Sequence, residues 1–401
     1  MAIESFSQIG ANKPLVPEKE LKRTNYIKAN RKLFDGEFNE LNLQYLDKDD
    51  NIPGLNVNWF RRAATFFPEF MLADRPTIQV PENPRLEALL EEISVDMWER
   101  VAEGNVDMLS LGEGILVSHP YDPTSLLRVP PDQYFEVRNN SNEYIGDIFW
   151  FSQGELWEET TKIDVYKYEV PRGRYTKATY SWRAGTLGAI LSAEQLPVRA
   201  NQRQSVFLYR EPNHISIFDD MKTSIGEMCR ELTSLGTTIR KNLRPHLYGP
   251  DGAVTVGEDG KAAINPAGMY FPLQEGDTAP GYLQWDPKLD AVQYSIGFHL
   301  EHALTSAGLS RIIFDPENLR LGQLSGTALK RLLLPFVARL NRLVQVNTNV
   351  AYDLIELINA NLGATGNEQF EFRRSGITVT FTFEDIFSEA TSEGEDTPTA
   401  T

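Results

Sequence analysis

Two segments with helical apolar spacing flank residues 245–287, an insert rich in glycine and proline. In the first segment, residues 216–243, apolar side chains recur every three or four positions, which places them on one face of an α-helix. We call this set the first stripe; it comprises Phe218, Met221, Ile225, Met228, Leu232, Leu235 and Ile239. Ser216 with Asp219 three residues later is typical of a helix start. The pattern therefore predicts one long helix.

The second segment, residues 289–309, has the same spacing. Its second stripe comprises Leu289, Val292, Ile296, Leu300, Ala303, Leu304 and Ala307. Both stripes are too narrow to lie inside a globular core and fit helices that pack side by side or against copies of themselves.

Glycine or proline occupies thirteen positions of the insert 245–287, which excludes a helix there. Short apolar runs at 253–256 and 269–271 predict small strands. The result is a helical hairpin with a β-rich head. An ordinary two-helix hairpin with a decorated loop has the same geometry and stays open as an alternative.

A loop at 310–325 then leads into Ser325-Gly326-Thr327-Ala328-Leu329-Lys330, which opens a helix predicted to reach about Asn361 and to bend at Pro335. This order resembles the portal proteins of tailed, siphophage-like bacteriophages. In that family Ser-Gly-x-Ala-Leu-(Lys/Arg) opens the helix after the tunnel loop, downstream of two stem helices and a clip. The resemblance covers about residues 56–387, and the order of elements makes it more specific than the six-residue motif.

The resemblance implies an α+β portal fold. Residues 1–214 would form the N-terminal part of the wing, 215–244 and 288–309 the stem helices, 245–287 the clip and 310–325 the tunnel loop. Residues 326–387 would supply the long kinked wing helix and C-terminal strands. Residues 388–401 contain acidic side chains and no basic one, which predicts a disordered tail and a crown that is short or absent.

The function implied by the resemblance is a ring, expected to hold twelve subunits, through which double-stranded DNA is packaged and ejected at one capsid vertex. Its partners would be the terminase large subunit, a head-completion or adaptor protein, and the major capsid and scaffolding proteins. The location would be the virion, and the host cytoplasm during assembly.

The resemblance also assigns residues to these roles. Polar residues facing DNA in the tunnel would be Arg311, Asn318, Arg320, Gln323 and Lys330. Aromatic anchors of the clip would be Tyr248, Tyr270, Phe271, Tyr282 and Trp285. Packing between neighbouring stems would use the first stripe together with Val292, Ile296 and Leu300.

The remainder of the chain predicts helices and an antiparallel sheet. Helices are expected at 21–34, at 58–73 with an interruption near Pro68, and at 83–103 continuing to 111, followed by a strand at 115–118. Period-two patterns predict a sheet with strands at 134–137, 145–150, 163–168 and 175–180, and with 206–209 as its last strand. A C-terminal hairpin is expected from 369–374 and 377–383, around Ser375-Gly376. The aromatic side chains of the sheet are expected to pack against its faces.

Charge excludes a conventional tight DNA binder, because 39 basic residues stand against 56 acidic ones and the formal net charge is −17. The negative charge is compatible with a channel wall along which DNA must slide. It is equally compatible with a protein whose acidic residues serve only to keep it soluble. No signal peptide and no membrane span are expected. The lone cysteine, Cys229, is expected to be buried and inert.

Nothing in the sequence argues for catalysis. Neither a phosphate-binding Gly-x-x-x-x-Gly-Lys-(Ser/Thr) loop nor a Gly-x-Ser-x-Gly elbow is present. His299 and His302 lie three apart on a predicted helix without a third ligand, so no metal site or cofactor is expected. Two alternatives to a portal stay open. One is an adaptor or scaffold whose helical hairpin binds a partner; the other is a hydrolase with an unrecognised site.

Overall fold

The chain was analysed as a computed structural model. It describes residues 3–38, 57–119, 121–122, 124–156, 158, 161–170, 174–183, 185–196, 206–210, 215–242, 246–248, 254–256, 262–264, 281–283, 289–310, 326–364, 370–371 and 373–381. The chain divides into two compact units. Unit 1 consists of residues 1–40, 58–222 and 301–401, and unit 2 of residues 41–57 and 223–300.

The helices of the described residues are α1 (Leu21–Asp35), α2 (Trp59–Met71), α3 (Pro84–Leu111), α4 (Phe218–Asn242), α5 (Leu289–Ser306) and α6 (Gly326–Ala364). Their ends follow local chemistry. Asn83 caps α3 by accepting a hydrogen bond from the backbone N–H of Leu86 at 3.1 Å, and Gly112 ends it in the left-handed region. The expected interruption near Pro68 is wrong. Helix α2 continues through Pro68, with Phe67 and Met71 buried on either side of it.

The strands are β1 (Thr77–Gln79), β2 (Glu113–Ser118), β3 (Leu126–Arg128), β4 (Tyr134–Arg138), β5 (Tyr144–Gln153), β6 (Lys162–Glu169), β7 (Arg174–Arg183), β8 (Thr186–Gln195), β9 (Val206–Arg210), β10 (His246–Tyr248), β11 (Val254–Val256), β12 (Ala262–Ile264), β13 (Gly281–Leu283) and β14 (Thr378–Thr380). Strands β4 to β8 form an antiparallel sheet in chain order, and β2 lies between β3 and β9 in a second sheet. The remaining pairs are β1 with β14, β10 with β13 and β11 with β12. The α+β class is thus confirmed.

Two strand predictions are wrong. Strand β9 pairs with β2, with Tyr209 opposite Gly114, and the last strand of the five-stranded sheet is β8. Strand β8 was not predicted, because most of its length is exposed on both faces. Its sequence therefore does not alternate between apolar and polar residues. The C-terminal hairpin is also wrong. Residues 374–376 form a 3₁₀ turn, and β14 pairs with β1, about 300 residues earlier in the chain.

Each face of the five-stranded sheet carries a cluster of buried side chains. Alternate side chains, such as Phe135, Ile148 and Val165, pack in one cluster with Ile3, Ile9 and Leu15 of the N-terminal segment. The side chains between them join Ile115, Val117 and Val129 in a second cluster; on the sheet side this cluster comprises Tyr134, Phe149, Tyr166, Tyr168 and Tyr175. The aromatic side chains therefore pack against the sheet faces, as predicted.

A third part of the unit 1 core joins α3, α6 and the C-terminal strand. Its buried members are Val80, Leu86, Leu90, Ile355 and Ile377. In the same region Asn105 of α3 and Asn347 of α6 bond through both amide groups, at 2.8 and 3.2 Å, and both are fully buried. Two buried amides that satisfy each other in this way fix the register of their helices.

In unit 2 the structure describes parts of the two long helices and four short strands. Helix α4 continues from Thr223 to Asn242, and α5 runs from Leu289 to Leu300 before re-entering unit 1 at Glu301. The strand pairs β10–β13 and β11–β12 lie between these helices in sequence. Across the described residues, none of the helices combines the length and the apolar character that crossing a membrane requires.

Candidate assembly surface

The N-terminal half of the first stripe is buried within the single chain. Phe218, Met221, Ile225 and Met228 are each at most 2% exposed. The Phe218 ring meets the Phe60 ring edge to face at a centroid distance of 5.0 Å. These four positions were expected to pack between neighbouring stems; they are buried already in the single chain, and packing of the first stripe between subunits stays a prediction. Leu232 and Leu235 are half-buried, and Ile239 is 44% exposed.

Side chains of α4 and α5 are in direct contact inside unit 2. The Ser295 hydroxyl donates a hydrogen bond to Oε1 of Glu231 at 2.6 Å, and Nε2 of His299 lies 3.9 Å from the same oxygen. Ser295 and His299 are one helical turn apart. Glu231 of α4 therefore lies opposite the turn of α5 between Ser295 and His299.

Helix α5 carries apolar side chains on two sides. The second stripe turns inward: Ala303, Leu304 and Ala307 are buried, and Val292, Ile296 and Leu300 are half-buried. On the other side Tyr294 and Phe298 lie one turn apart and are 77% and 56% exposed. Ala291 and Glu301 are also exposed and share this side at helical spacing. We call Ala291, Tyr294 and Phe298 the outer face of α5.

The outward side of α4 differs in chemistry. Thr223, Arg230 and Ser234 are exposed and lie on one side of the helix. Arg230 forms an ion pair with Glu227 one turn earlier on the same helix, and both side chains are more than 40% exposed. We call Thr223, Glu227, Arg230 and Ser234 the outer face of α4.

Cys229 is buried, as predicted, and burial raises the pKa of its thiol. A raised pKa keeps the thiol protonated and unreactive at neutral pH. His299 contacts Glu231, as described above. Among the described residues no group of three or more His, Cys, Asp and Glu side chains is arranged to hold a metal ion.

Arg339 of α6 has a structural role at the end of α5. Its Nη1 donates a hydrogen bond to the carbonyl of Ala307 at 3.2 Å, and its guanidinium lies 5.7 Å from the centre of the Phe67 ring. Gly308 ends the helix beside it in the left-handed region, with φ of 77°. Arg339 is the first basic residue after the expected tunnel loop whose side chain the structure describes. Its contacts are with other parts of the protein itself.

Most residues expected in the tunnel and clip fall outside the described part of the chain. These are Arg311, Asn318, Arg320, Gln323, Tyr270, Phe271 and Trp285, while Lys330 lies on α6 without a described side chain. The structure does bring two clip residues into one strand pair, in which Tyr248 is opposite Gly281 and Tyr282 is opposite Leu247.

Tyr294 and Phe298 are the surface residues that the stripe analysis missed. They lie four apart and between the members of the second stripe, so a search for one apolar face passes over them. The signal in the sequence that could have identified them is a pair of large apolar residues at helical spacing outside the second stripe.

Comparisons with known proteins give little further constraint. No protein-family model matches the chain, and no curated protein matches it. Among solved structures, the chain is similar to a chain described as "Virion of native gene transfer agent (GTA) particle", with a TM-score of 0.45 and 12% identity. The match covers 97% of this chain and 93% of the other. A TM-score below 0.5 does not establish a shared fold, so this likeness carries no weight for function.

Proposed function

We propose that this protein is a phage-type portal protein, the subunit of a ring-shaped channel at one capsid vertex through which double-stranded DNA enters and leaves. The proposal combines the order of the sequence elements with the exposed aromatic residues of α5. The ring is expected to contain twelve subunits. The insert 245–287 would dock the terminase large subunit and later a head-completion protein, while major capsid and scaffolding proteins surround the ring.

The observation that carries this proposal is the outer face of α5. A helix that packs against one neighbour in a monomer needs one apolar side, and α5 has a second, on which Tyr294 and Phe298 are more than half exposed. Burying a large apolar side chain contributes about 1.5–3 kcal/mol. Two rings at every subunit contact therefore favour assembly, and a closed ring repeats that contact around the whole circle.

The role needs no chemistry from the protein. Each chain has a formal charge of −17, so a twelve-subunit ring would carry roughly −200 charges and repel DNA from most of its surface. DNA could then slide past a few positive side chains without being held. The virion, and the host cytoplasm during assembly, are the expected locations.

Electron microscopy with light scattering tests the ring directly. Purified wild-type protein should form closed rings with a central hole wide enough for a DNA duplex and a mass near twelve subunits. The variant Tyr294→Ser/Phe298→Ser should stay monomeric at the same concentration, because it loses the aromatic contact. Gln293→Ser, at an exposed position of the same helix, is the matched control and should assemble like wild type.

A uniform monomer or dimer of the wild-type protein across concentration and salt would oppose the portal and favour an adaptor whose hairpin binds a different partner. The exposed aromatic face would then be the docking site for that partner. Rings that form equally well without both aromatic side chains would show that other surfaces drive assembly.

The DNA channel has its own test. Arg311→Ala/Arg320→Ala should leave ring assembly intact and lower the length or yield of packaged DNA, because phosphate contacts in the tunnel are lost. A double variant at two exposed arginines outside the expected tunnel loop, Arg174→Ala/Arg183→Ala, serves as the charge-matched control for packaging. Wild-type packaging by the tunnel variant would remove the loop from the mechanism.

A further inference from the structure

We propose that the acidic tail of this chain, residues 388–401, docks on a basic face of its own helix α1. The basic face of α1 comprises Lys22, Lys28 and Lys32, all of them exposed. The tail lies outside the described residues, and the structure describes the surface and the last residue before the tail. Docking of this kind would neutralise the basic face and close it to other polyanions. The inference does not depend on the proposed ring, because both partners belong to one chain.

Helix α1 is strongly basic in a chain whose formal net charge is −17. Its residues 21–34 include five lysines and arginines and no aspartate or glutamate. The two arginines, Arg23 and Arg31, form ion pairs with buried carboxylates of unit 1 at 2.6–2.8 Å. The three lysines are exposed. Folding of unit 1 therefore uses the arginines of α1 and leaves its lysines at the surface.

The exposed lysines lie on one side of α1. At about 100° per residue, Lys22, Lys28 and Lys32 fall within an arc of about 120°, and the exposed Asn25 lies inside the same arc. Lys22 and Lys32 are about 15 Å apart along the helix axis. Among the described residues neither Lys22 nor Lys28 has an ion-pair partner. The result is a narrow surface of one sign of charge that an extended acidic segment could follow.

The last described residue before the tail lies close enough to α1 for the tail to reach it. Phe381 packs against Trp98 of α3, with ring centroids 5.8 Å apart. Arg31 of α1 interacts electrostatically with Asp107, which lies further along α3 by a step of about 14 Å. Glu389, the first acid of the tail, follows Phe381 by eight residues, and the last acid follows it by fifteen. Extended segments of those lengths span up to about 26 and about 50 Å, so the acids of the tail can reach the exposed side of α1.

Charge and attachment together favour docking within the chain. The tail carries Glu389, Glu393, Glu395 and Asp396 and no basic residue. One exposed ion pair stabilises little, but several pairs on one tethered segment act together, because a short linker holds the tail at an effective concentration of about a millimolar. A separate polyanion such as a DNA duplex must first approach a molecule with a charge of −17, which repels it. The tail is therefore the favoured occupant of the basic face.

Carbodiimide cross-linking of the full-length chain tests the docking. The reagent joins a carboxylate to a lysine amine that it touches, and mass spectrometry identifies the linked peptides. Links from the tail to Lys22 and Lys28 should exceed those to Lys162, an exposed lysine of β6, on the order of tenfold. In about 1 M salt, where the screening length is about 3 Å, this excess should disappear. A mixture of unlabelled and isotope-labelled chains shows whether each link joins residues of one molecule.

Neutralising the tail gives a second readout. The variant Glu393→Gln/Glu395→Gln/Asp396→Asn removes three of its four acidic side chains and alters no described residue. Because an amine held in an ion pair stays protonated and unreactive, the variant should be acetylated at Lys28 about threefold faster than wild type. The acetylation rate at Lys162 should stay the same.

The variant Glu91→Gln/Glu92→Gln/Asp96→Asn is the charge-matched control, since it changes three exposed acidic residues of α3. It should leave the links to α1 and the acetylation rates of α1 as in wild type. Salt-sensitive links within one molecule, with faster acetylation only in the tail variant, support the docking. Equal links to Lys28 and Lys162, links only between molecules, or unchanged acetylation of the tail variant overturn it. The formation of rings does not bear on these results, so this inference and the proposed function can fail separately.

Discussion

Units 1 and 2 differ in which of their elements bury apolar side chains and which leave them exposed. Unit 1 contains all three clusters of buried hydrophobic residues found in the described part of the chain. The α4 segment of unit 2 buries Ile225 and Met228, while Tyr294, Phe298 and Ile239 of the two segments are 77%, 56% and 44% exposed. A long apolar helix can therefore lie in a buried cluster or at the surface, and the difference lies in which of its sides the rest of the chain covers.

The polar groups show the same contrast. In unit 1, Arg128 donates two hydrogen bonds of 2.7 Å to Asp107, and Arg23 binds Glu113 together with the carbonyls of Pro131 and Tyr134. Burial raises the pKa of Asp107, and the hydrogen bonds from Arg128 oppose that rise. In unit 2, the described ion pair of Arg230 with Glu227 lies in solvent, where such a pair adds little stability.

Truncating one phenylalanine in each unit should give the largest difference. Phe218→Ala removes a fully buried ring packed on Phe60 and should lower the free energy of unfolding by about 3–5 kcal/mol. Phe298→Ala removes an exposed ring and should change the unfolding of the isolated subunit by less than about 0.5 kcal/mol. Urea denaturation of the monomer measures both. Equal losses would contradict the contrast between the two units.

Asp147 should make the stability of unit 1 depend on pH. It is fully buried and accepts hydrogen bonds from the hydroxyls of Tyr134 and Tyr144. Burial raises its pKa to about 7. Because the folded protein holds this proton more tightly than the unfolded chain does, the stability from the neutral carboxyl is complete below about pH 4 and is lost as pH rises to about 7.

Asp147→Asn removes this titration. Relative to wild type, the variant should gain stability between about pH 4 and pH 7, by at most about 4 kcal/mol at 1.4 kcal/mol per pKa unit. Tyr144→Phe removes a hydrogen bond that lowers the pKa of Asp147, so the titration should move to higher pH. Denaturation midpoints at several pH values measure both effects. Parallel pH profiles for wild type and Asp147→Asn would refute the prediction.

The amide pair between α3 and α6 should give a smaller effect with strong coupling. Asn105→Ala or Asn347→Ala leaves the other buried amide without that partner, at a cost of about 1–3 kcal/mol. The double variant should lose less than the sum of the two, because the second substitution removes the stranded amide. A double-mutant cycle from thermal or urea unfolding provides the measurement. Additive losses would mean that the two amides act independently.

The smallest expected change concerns β8, which lies at an edge of the five-stranded sheet. The N-terminal segment pairs with β4 through Ile3 and with the start of β8 through Asn12 and Leu15. Beyond that point β8 exposes Ile190 and Leu191, at 55% and 52%. Ile190→Lys should alter stability by less than about 0.5 kcal/mol and reduce slow aggregation, because a charge discourages strand pairing between molecules. Light scattering over time, with Ile190→Thr as the uncharged control, follows this effect.

The sequence predicted the bounds of helices and strands better than it predicted which elements pair or pack with one another. Helices α1, α3 and α4 and strands β4 to β7 were found close to their observed bounds, because each has a strong periodic pattern along a single segment. The partners of β9 and β14 were missed, since pairing with β2 and β1 depends on residues distant in the chain. Burial of Phe218 and Met221 was missed for the same reason, because Phe60 lies far from them in sequence.

The assembly surface could be predicted only in part. The stripes located both long helices, but spacing cannot show which side of a helix another part of the chain already covers. Tyr294 and Phe298 became identifiable once the inward side of α5 was known. The tunnel and clip residues stay predictions.

The bonded amides of Asn105 and Asn347 have a mechanical consequence. A shift of α6 by one turn along α3 would separate two amides in a dry environment, at a cost of about 1–3 kcal/mol for each. The pair of amides therefore opposes sliding of α6 along α3.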